Sequence, residues 1–480
     1  MSRLPRVTAA LLGAALLHGC AVGPDYVRPE IASPASWSEP LDGGLSAATP
    51  DRALLASWWT TLGDPQLTEL VTRAVSANLG VQEAKARLRE ARARRVIARA
   101  GFFPTLEASG SAARSDASDG LRNSSSNVGG SAGASDLYSA GLDASWEIDV
   151  FGGVRRELEA AQADIARSEE DLRDVLVSLA AEVALSYVDA RSLQARIAIA
   201  QANLAAQTET EQIVHWRVQA GLATELELER SRSNVAQTRA QIPSLRTGLE
   251  QARNGLAVLV GEPPGALGFL LADRRPVPLT TRDVAVGVPA ETLAQRPDVR
   301  RAEAELEAQT ARVGVATARA YPSLTALGSI GLEALAPGQL LDAGASAWRL
   351  AGNTAWVVFD AGAIRGGIDA EDALREQALA RFRGSVLDAL ADVENALVAY
   401  AQEQDRREAL SAGSAAAERA VALAENQYGA GLVDFEIVLD SQRSLYVLQE
   451  QLAVSERDVT SNLIRLYKAL GGGWTPGASG

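Results

Sequence analysis

Apolar residues recur at every seventh position in two stretches of the chain. Val438, Leu445, Leu452, Val459 and Leu466 form one series; Leu228, Val235, Ile242, Leu249 and Leu256 form the other. A period of 3.5 residues lays such a series along one seam of a helix and predicts a left-handed coiled coil. Each series follows a glycine turn, Ala220-Gly221-Leu222 or Ala430-Gly431-Leu432, and the copies align without a gap at an offset of 210. Upstream, Val154-Arg155 matches Ile364-Arg365, and Phe103-Pro104-Thr105-Leu106 matches Tyr321-Pro322-Ser323-Leu324 at an offset of 218. The chain therefore reads as one unit present twice: helix, strand, hairpin loop, strand, long helix, glycine turn, helix.

A period of two marks four strands, at about 102–113, 137–150, 321–334 and 346–359. In the second, Tyr138, Ala140, Leu142, Ala144, Trp146, Ile148 and Val150 alternate with Ser139, Gly141, Asp143, Ser145, Glu147 and Asp149. One apolar face and one charged face fit a membrane β-barrel with a wet lumen. A soluble sandwich edge carries the same alternation. Tyr138 and Trp146, like Trp348 and Trp356, lie eight residues apart on the apolar face, a spacing that suits an aromatic belt at each membrane boundary. Four strands cannot close a barrel; three chains supplying four each would close one of twelve. Transmembrane strands thus require oligomerisation.

A helix from Asp64-Pro65 to about Ala100 is Arg-rich on one side, and long helices are expected over about 154–219 and 364–427. Each long helix could reach ~100 Å. With 5% aromatic residues and much Ala, they have only neighbouring helices to bury against. Pro243 is expected to interrupt and kink its helix. The first repeat spans 63–261, a Pro-rich linker 262–296, the second repeat 297–470, and a tail without visible order 471–480.

Residues 1–19 form an export signal, with Arg3 and Arg6 ahead of an apolar run. Leu16-Leu17-His18-Gly19-Cys20 resembles the bacterial lipoprotein cleavage box, so Cys20 is the expected lipidation site, followed by an extended lipid-anchored segment over 20–62. Losing the signal takes the formal net charge from −14 to −16, which argues against nucleic-acid binding. No long apolar stretch follows the signal. Gly129-Gly130-Ser131-Ala132-Gly133 fits a nucleophile-elbow pattern but sits in a Ser/Gly loop, and His215 is the one histidine after the signal. No enzyme, cofactor or metal site is expected.

Glu436 and Asp440, four residues apart, share one helix face just past the second glycine turn, where the first repeat has Leu226 and Arg230. Arg443 is spaced to pair with Asp440. Trp146-Glu-Ile-Asp-Val-Phe-Gly152, Arg296-Pro297-Asp298, Leu439-Asp-Ser-Gln-Arg-Ser-Leu445 and Leu466-Tyr-Lys-Ala-Leu-Gly-Gly-Gly-Trp474, with the lipobox and the doubled unit, resemble the outer-membrane factor (TolC-like) family. The likeness is to its lipoprotein branch, the outer-membrane channels of RND-type multidrug efflux systems.

That resemblance implies an α+β membrane protein: a homotrimer with a twelve-stranded β-barrel in the outer membrane, a coiled-coil α-barrel through the periplasm and an equatorial collar. It implies a passive, gated exit duct whose partners are a periplasmic adaptor, an inner-membrane RND-type pump and outer-membrane lipid. It further places Asp440 at a periplasmic constriction with Glu436 beside it, Arg443 and Tyr428 as latch partners, and Gly221, Leu222, Gly431 and Leu432 at adaptor-contacting tips. A type I protein-secretion outlet shares the architecture, and a structural coiled-coil lipoprotein without transport is the rival from another class. Replacing Cys20 with Ser is expected to abolish acyl labelling and slow signal removal; acyl label persisting on the variant would refute the lipobox.

Overall fold

The computed structural model describes residues 21–30, 33–49, 51–115, 135–268, 270–279 and 284–474, so Cys20, the Gly129–Gly133 loop and residues 475–480 lie outside it. Its helices are α1 (Arg52–Ala56), α2 (Pro65–Ala77), α3 (Leu79–Ala100), α4 (Gly153–Gln219), α5 (Glu225–Val260), α6 (Pro289–Gln295), α7 (Pro297–Ala318), α8 (Ala363–Gly429) and α9 (Phe435–Ala469). The long strands are β1 (Thr105–Ser115), β2 (Ser135–Glu147), β3 (Ser323–Ala334) and β4 (Ser346–Ala355). Two compact units result. One comprises Met1–Pro29, Arg89–Arg167 and Glu303–Arg381; the other comprises Glu30–Leu88, Ser168–Ala302 and Phe382–Gly480.

In the first unit the four strands form one antiparallel sheet in the order β1-β2-β3-β4. Its register puts Ala108, Leu142, Ile330 and Trp348 in one row, and Glu107, Asp143, Ser329 and Arg349 in the next. Adjacent rows face opposite ways. Ser109 Oγ donates to Asp143 Oδ2 at 2.6 Å, and the Ser111 and Ser139 hydroxyls lie 2.8 Å apart, so the polar face is stitched across strands. No described residue covers the apolar face: Leu106 is 69% exposed, Ile330 65%, Trp348 80% and Leu350 79%.

β2 and β4 stop at Glu147 and Ala355, short of the expected 150 and 359, because an Asp near each end turns the chain into a helix. Asp149 accepts from the Val154 and Arg155 N–H groups at 3.1 and 2.9 Å. Asp360 accepts from Gly362 and Ile364 at 2.9 and 2.6 Å. These carboxylates satisfy donors that a helix start leaves open. Trp146 and Trp356 are fixed by the same corners: each indole N–H donates at 3.1 Å to a carbonyl before the preceding strand, Phe102 and Ala320 respectively. Tyr138 is half-buried.

The second unit holds the main core. Trp58 is fully buried and stacks on Tyr467 with ring centroids 5.4 Å apart, amid Leu67, Leu70, Tyr187, Leu256 and Ile464. Asp64 caps α2 through the Gln66 N–H at 2.9 Å and accepts the Tyr187 hydroxyl at 2.5 Å. Burial, with that carboxylate, pushes the Tyr187 phenol up to about 12. The expected seam is observed. All five heptad residues of α5 are buried, as are Val438, Val459 and Leu466 of α9, while Leu445 and Leu452 are half-buried.

Five expectations are corrected here. The helix expected up to Ala100 breaks at Asn78, which takes an extended ψ of 133° while its side-chain amide donates to the Leu259 carbonyl at 2.9 Å. Pro243 does not interrupt α5, because Ile242, Leu245 and Leu249 are buried around it and packing outweighs one lost donor. Residues 20–62 are not merely extended: Asp51 caps α1, and a 3-10 turn follows over Trp58–Leu62. The 262–296 linker contains α6 and pairs Val284-Ala285 in parallel with Leu45-Ser46. Gly471–Trp474 is no loose tail. The Gly473 N–H donates to the Leu55 carbonyl at 3.1 Å, and Arg173 lies over the Trp474 ring at 4.7 Å. Only glycine fits there, since a Cβ on Gly472 would stand 2.8 Å from the Leu55 carbonyl.

Gly141 and Gly331 face each other across β2 and β3, and a Cβ on Gly331 would stand 2.7 Å from the Ala140 carbonyl. Gly331→Ala is expected to cost about 1–3 kcal/mol and lower the thermal melting temperature. Gly352→Ala, with nothing within 4 Å, is expected to leave it unchanged. Equal melting of both variants would refute the close strand approach.

Candidate functional site

The candidate residues of the two glycine turns gather in the second unit. Leu222 N–H donates to the Arg217 carbonyl at 2.8 Å and Gly221 N–H to Val218 at 3.0 Å; Leu432 and Gly431 donate to Gln427 and Tyr428 at 2.9 and 3.0 Å. These paired bonds are Schellman caps, and they need a left-handed residue. Gly221 and Gly431 supply it, both at φ 72°. The caps aim Leu222 and Leu432 outward, 69% and 75% exposed. The following helices start differently. Thr224 and Glu227 form a reciprocal capping box on α5, whereas Asp434 makes no side-chain cap on α9.

Beneath the turns Val214, Leu228, Ala424, Phe435, Val438 and Leu439 form a small core with Tyr428 and Val218 against it. Tyr428 tilts onto Phe435 with ring centroids 5.2 Å apart. The Arg217 guanidinium lies over the Tyr428 ring, 4.2 Å from its centroid, and donates to the Tyr428 carbonyl at 3.3 Å. The Tyr428 hydroxyl is buried with no hydrogen-bond partner among the described residues, and burial pushes its phenol up. Tyr428 thus leans on Arg217 of the first repeat and not on Arg443.

The charged residues sort in a way the spacing alone did not give. Glu436 pairs with Arg230 across the two repeats at 3.4 Å, both exposed. Arg443 does not pair with Asp440; its Nε donates to Asn234 Oδ1 of α5 at 3.2 Å. The reason is packing, because the buried seam turns the Arg443 side chain toward the neighbouring helix. Asp440 is exposed and has no hydrogen-bond or ion-pair partner among the described residues. Sequence reasoning missed Arg217, Asn234 and Gln442. Gln442 is buried and donates at 3.0 Å to both Thr210 Oγ1 and Glu425 Oε1. A polar residue inside the heptad seam was the available signal for Gln442. Nothing local marked the other two.

Among the described residues no cluster of His, Cys, Asp and Glu is placed to hold a metal, and no helix is long and apolar enough to cross a membrane. The chain matches the family model described as outer membrane efflux protein over residues 70–262 and 288–472. It is 33% identical over 461 residues to nodulation protein T of Rhizobium leguminosarum bv. trifolii, covering 96% of each chain. It is 35% identical over 444 residues to the pyoverdine export outer membrane protein OpmQ of Pseudomonas putida, covering 92% of this chain and 93% of that one. The solved outer-membrane channel OprN superposes with a TM-score of 0.89 at 34% identity, over 95% of this chain and 100% of that one.

The Arg230–Glu436 pair invites a double-mutant cycle. Arg230→Ala, Glu436→Ala and their combination are expected to show a coupling below ~1 kcal/mol that high salt removes, because both partners are exposed. A larger, salt-resistant coupling would mean the pair is buried in the working assembly.

Proposed function

The chain belongs to the outer membrane efflux protein family, whose members are outer-membrane channels of efflux pumps, and from that premise we propose that three copies build one gated exit duct. The observation that carries this reading is the sheet. Among the described residues it has an uncovered apolar face and two unpaired edges, β1 and β4. In a bilayer an open edge leaves backbone donors and acceptors unsatisfied, at several kcal/mol each. Three sheets joined edge to edge would remove all six edges and close a twelve-stranded barrel. The row of Glu107, Asp143, Ser329 and Arg349 would then face a wet lumen, and Leu142, Ile330 and Trp348 would face lipid.

Lipid anchoring at Cys20 fits the same frame. The chain enters the described structure at Ala21, which lies against Gly152 at the end of the β2 corner. Val22 N–H donates to the Phe151 carbonyl at 3.0 Å. An acyl chain on the preceding residue would start at the membrane boundary. The exposed Leu222 and Leu432, held out by rigid glycine turns, suit docking of a periplasmic adaptor, which would connect the duct to an inner-membrane RND-type pump. Cargo selection then falls to the pump, since a wide wet lumen has little to select with.

Closure would lie at the α8–α9 tips. Three copies of Asp440, each without a side-chain partner among the described residues, would ring the opening and favour cations. Glu436 pairs with Arg230 of its own chain, so the ring of Asp440 carboxylates would carry the less compensated charge. Arg443 and Tyr428 would hold the tips, Arg443 through Asn234 and Tyr428 through Arg217. In planar bilayers the protein is expected to show a small, cation-selective conductance. Asp440→Ala with Arg443→Ala should raise conductance and let large antibiotics leak in, whereas Glu436→Gln should lower selectivity with little opening. A channel equally closed and equally selective in both variants would overturn the gate.

A further inference from the structure

A cavity of about 820 Å³ opens in the first unit, between α3, α4 and α7 and beneath the strand ends at Glu147 and Ala355. Its wall is mostly apolar. Ile97 of α3, Val154 and Ala161 of α4 and Val315 of α7 line it, with the Phe151 and Tyr321 rings, which stack 4.8 Å apart. Ile97 and Tyr321 are exposed, so the cavity is open to solvent. Its size and lining are those of a site for a small organic molecule.

Two separate arrangements set the side on which it opens. The first is the sheet. Glu147 lines the cavity and shares the polar face with Asp143, four residues back; Ser323 and Ala355, paired in register, line it from the same face. The second is the segment after Ala21, which lies as a strap along α4 and α7. Arg156 donates to the Val22 carbonyl at 3.2 Å and pairs with Asp25 at 2.7 Å. Arg28 pairs with Glu303 at 2.8 Å, and a Cβ on Gly23 would stand 2.5 Å from the Gly314 backbone. At about 100° per residue, Val154, Glu157 and Ala161 stand about 100–160° round α4 from Arg156. Arg312, Val315 and Arg319 stand about 100–160° round α7 from Gly314. The strap leads from the proposed lipid anchor, so its face is the outer one in the proposed duct, and the cavity opens on the lumen.

The charged groups around the cavity sort by pairing. Arg94 is held by Glu90 and Arg312 by Asp164, each at 2.7 Å, and Asp149 accepts from the start of α4. Glu147 and Glu157 are exposed, and neither carboxylate has an ion-pair or hydrogen-bond partner among the described residues. Arg319 has none either. It directly follows the last turn of α7, whose open carbonyl ends favour a cation at that place. The two free carboxylates are therefore what the cavity offers to a charged ligand.

We propose that this cavity binds an amphiphilic organic cation, with its apolar body on the Phe151 and Tyr321 rings and its positive charge toward Glu147 and Glu157. Aromatic faces and carboxylates both attract a cation that brings its own apolar surface. A neutral molecule of the same size keeps the wall contacts and gains nothing from the acids. A recess to one side of a wide lumen holds such a molecule without barring other cargo, so selection stays with the pump. That the recess faces a lumen rests on the duct reading above; the cavity and its free acids do not.

The test follows two dyes by fluorescence polarisation on the full protein purified in detergent: rhodamine 6G, a cation, and N-phenyl-1-naphthylamine, which is neutral. Wild type is expected to bind rhodamine 6G saturably. Glu147→Gln with Glu157→Gln should weaken that binding roughly tenfold, the scale of two partly exposed charge contacts, and leave the neutral dye unchanged. Glu376→Gln with Glu418→Gln removes the same charge from exposed positions outside the cavity and should change neither dye. Val315→Trp fills the cavity and should weaken both dyes. Equal weakening of rhodamine 6G by the control pair, parallel weakening of the neutral dye by the Glu147 and Glu157 pair, or no saturable binding by wild type would overturn the proposal. Dye binding by a protein that conducts no ions in planar bilayers counts against the duct and leaves the site standing, whereas conduction without dye binding does the reverse.

Discussion

A β-sheet in a membrane must pair every backbone group on its edges, and that demand organises this molecule. One chain supplies four strands with β1 and β4 unpaired. No described residue covers the apolar face, and in the proposed duct lipid and copies of the same sheet would complete it. The long helices follow from the same arithmetic. A chain that gives each copy four strands returns each hairpin into helices, and 67-residue helices with so few aromatics must bury small side chains against one another.

The two copies of the doubled unit share a frame, and the residues of the proposed gate lie where the copies differ. Frame features repeat: Trp146 and Trp356 pin equivalent corners, Asp149 and Asp360 start equivalent helices, and Gly221 and Gly431 share one φ. Departures are charged. Arg230 stands where the second repeat has Asp440, and Arg89 stands where it has Glu307. Duplication thus supplies the scaffold at low risk to folding, while exposed charges, which cost little stability, are free to differ.

The second unit shows what anchors such long helices. Trp58, Tyr187 and Tyr467 gather in one core, closed by a Gly-Gly-Gly-Trp segment whose glycines admit the Leu55 backbone and the Trp58 ring. Large aromatic burial at one level stiffens helices that elsewhere meet in smaller cores with one or two aromatic residues each. Local polar anchors sharpen it, as where Asp64 caps α2 and binds Tyr187 together.

The sequence by itself determined whatever is periodic or local. Heptads placed the seam, alternation placed the strands and their facing, glycine turns placed the tips, and the doubled unit with its motifs identified the family. Periodicity works because each element buries one stripe or one face, so its own residues carry the record. Strand ends, the break at Asn78 and the unbroken helix through Pro243 were decided by neighbours distant in the chain, whose hydrogen bonds and packing overrode local propensity. The same holds at the tips. Spacing put Arg443 near Asp440, but the tertiary structure gave Arg443 to Asn234, Glu436 to Arg230 and Tyr428 to Arg217, and left Asp440 alone. A side chain's partner depends on which helix packs beside it at what rotation, and no single helix encodes that.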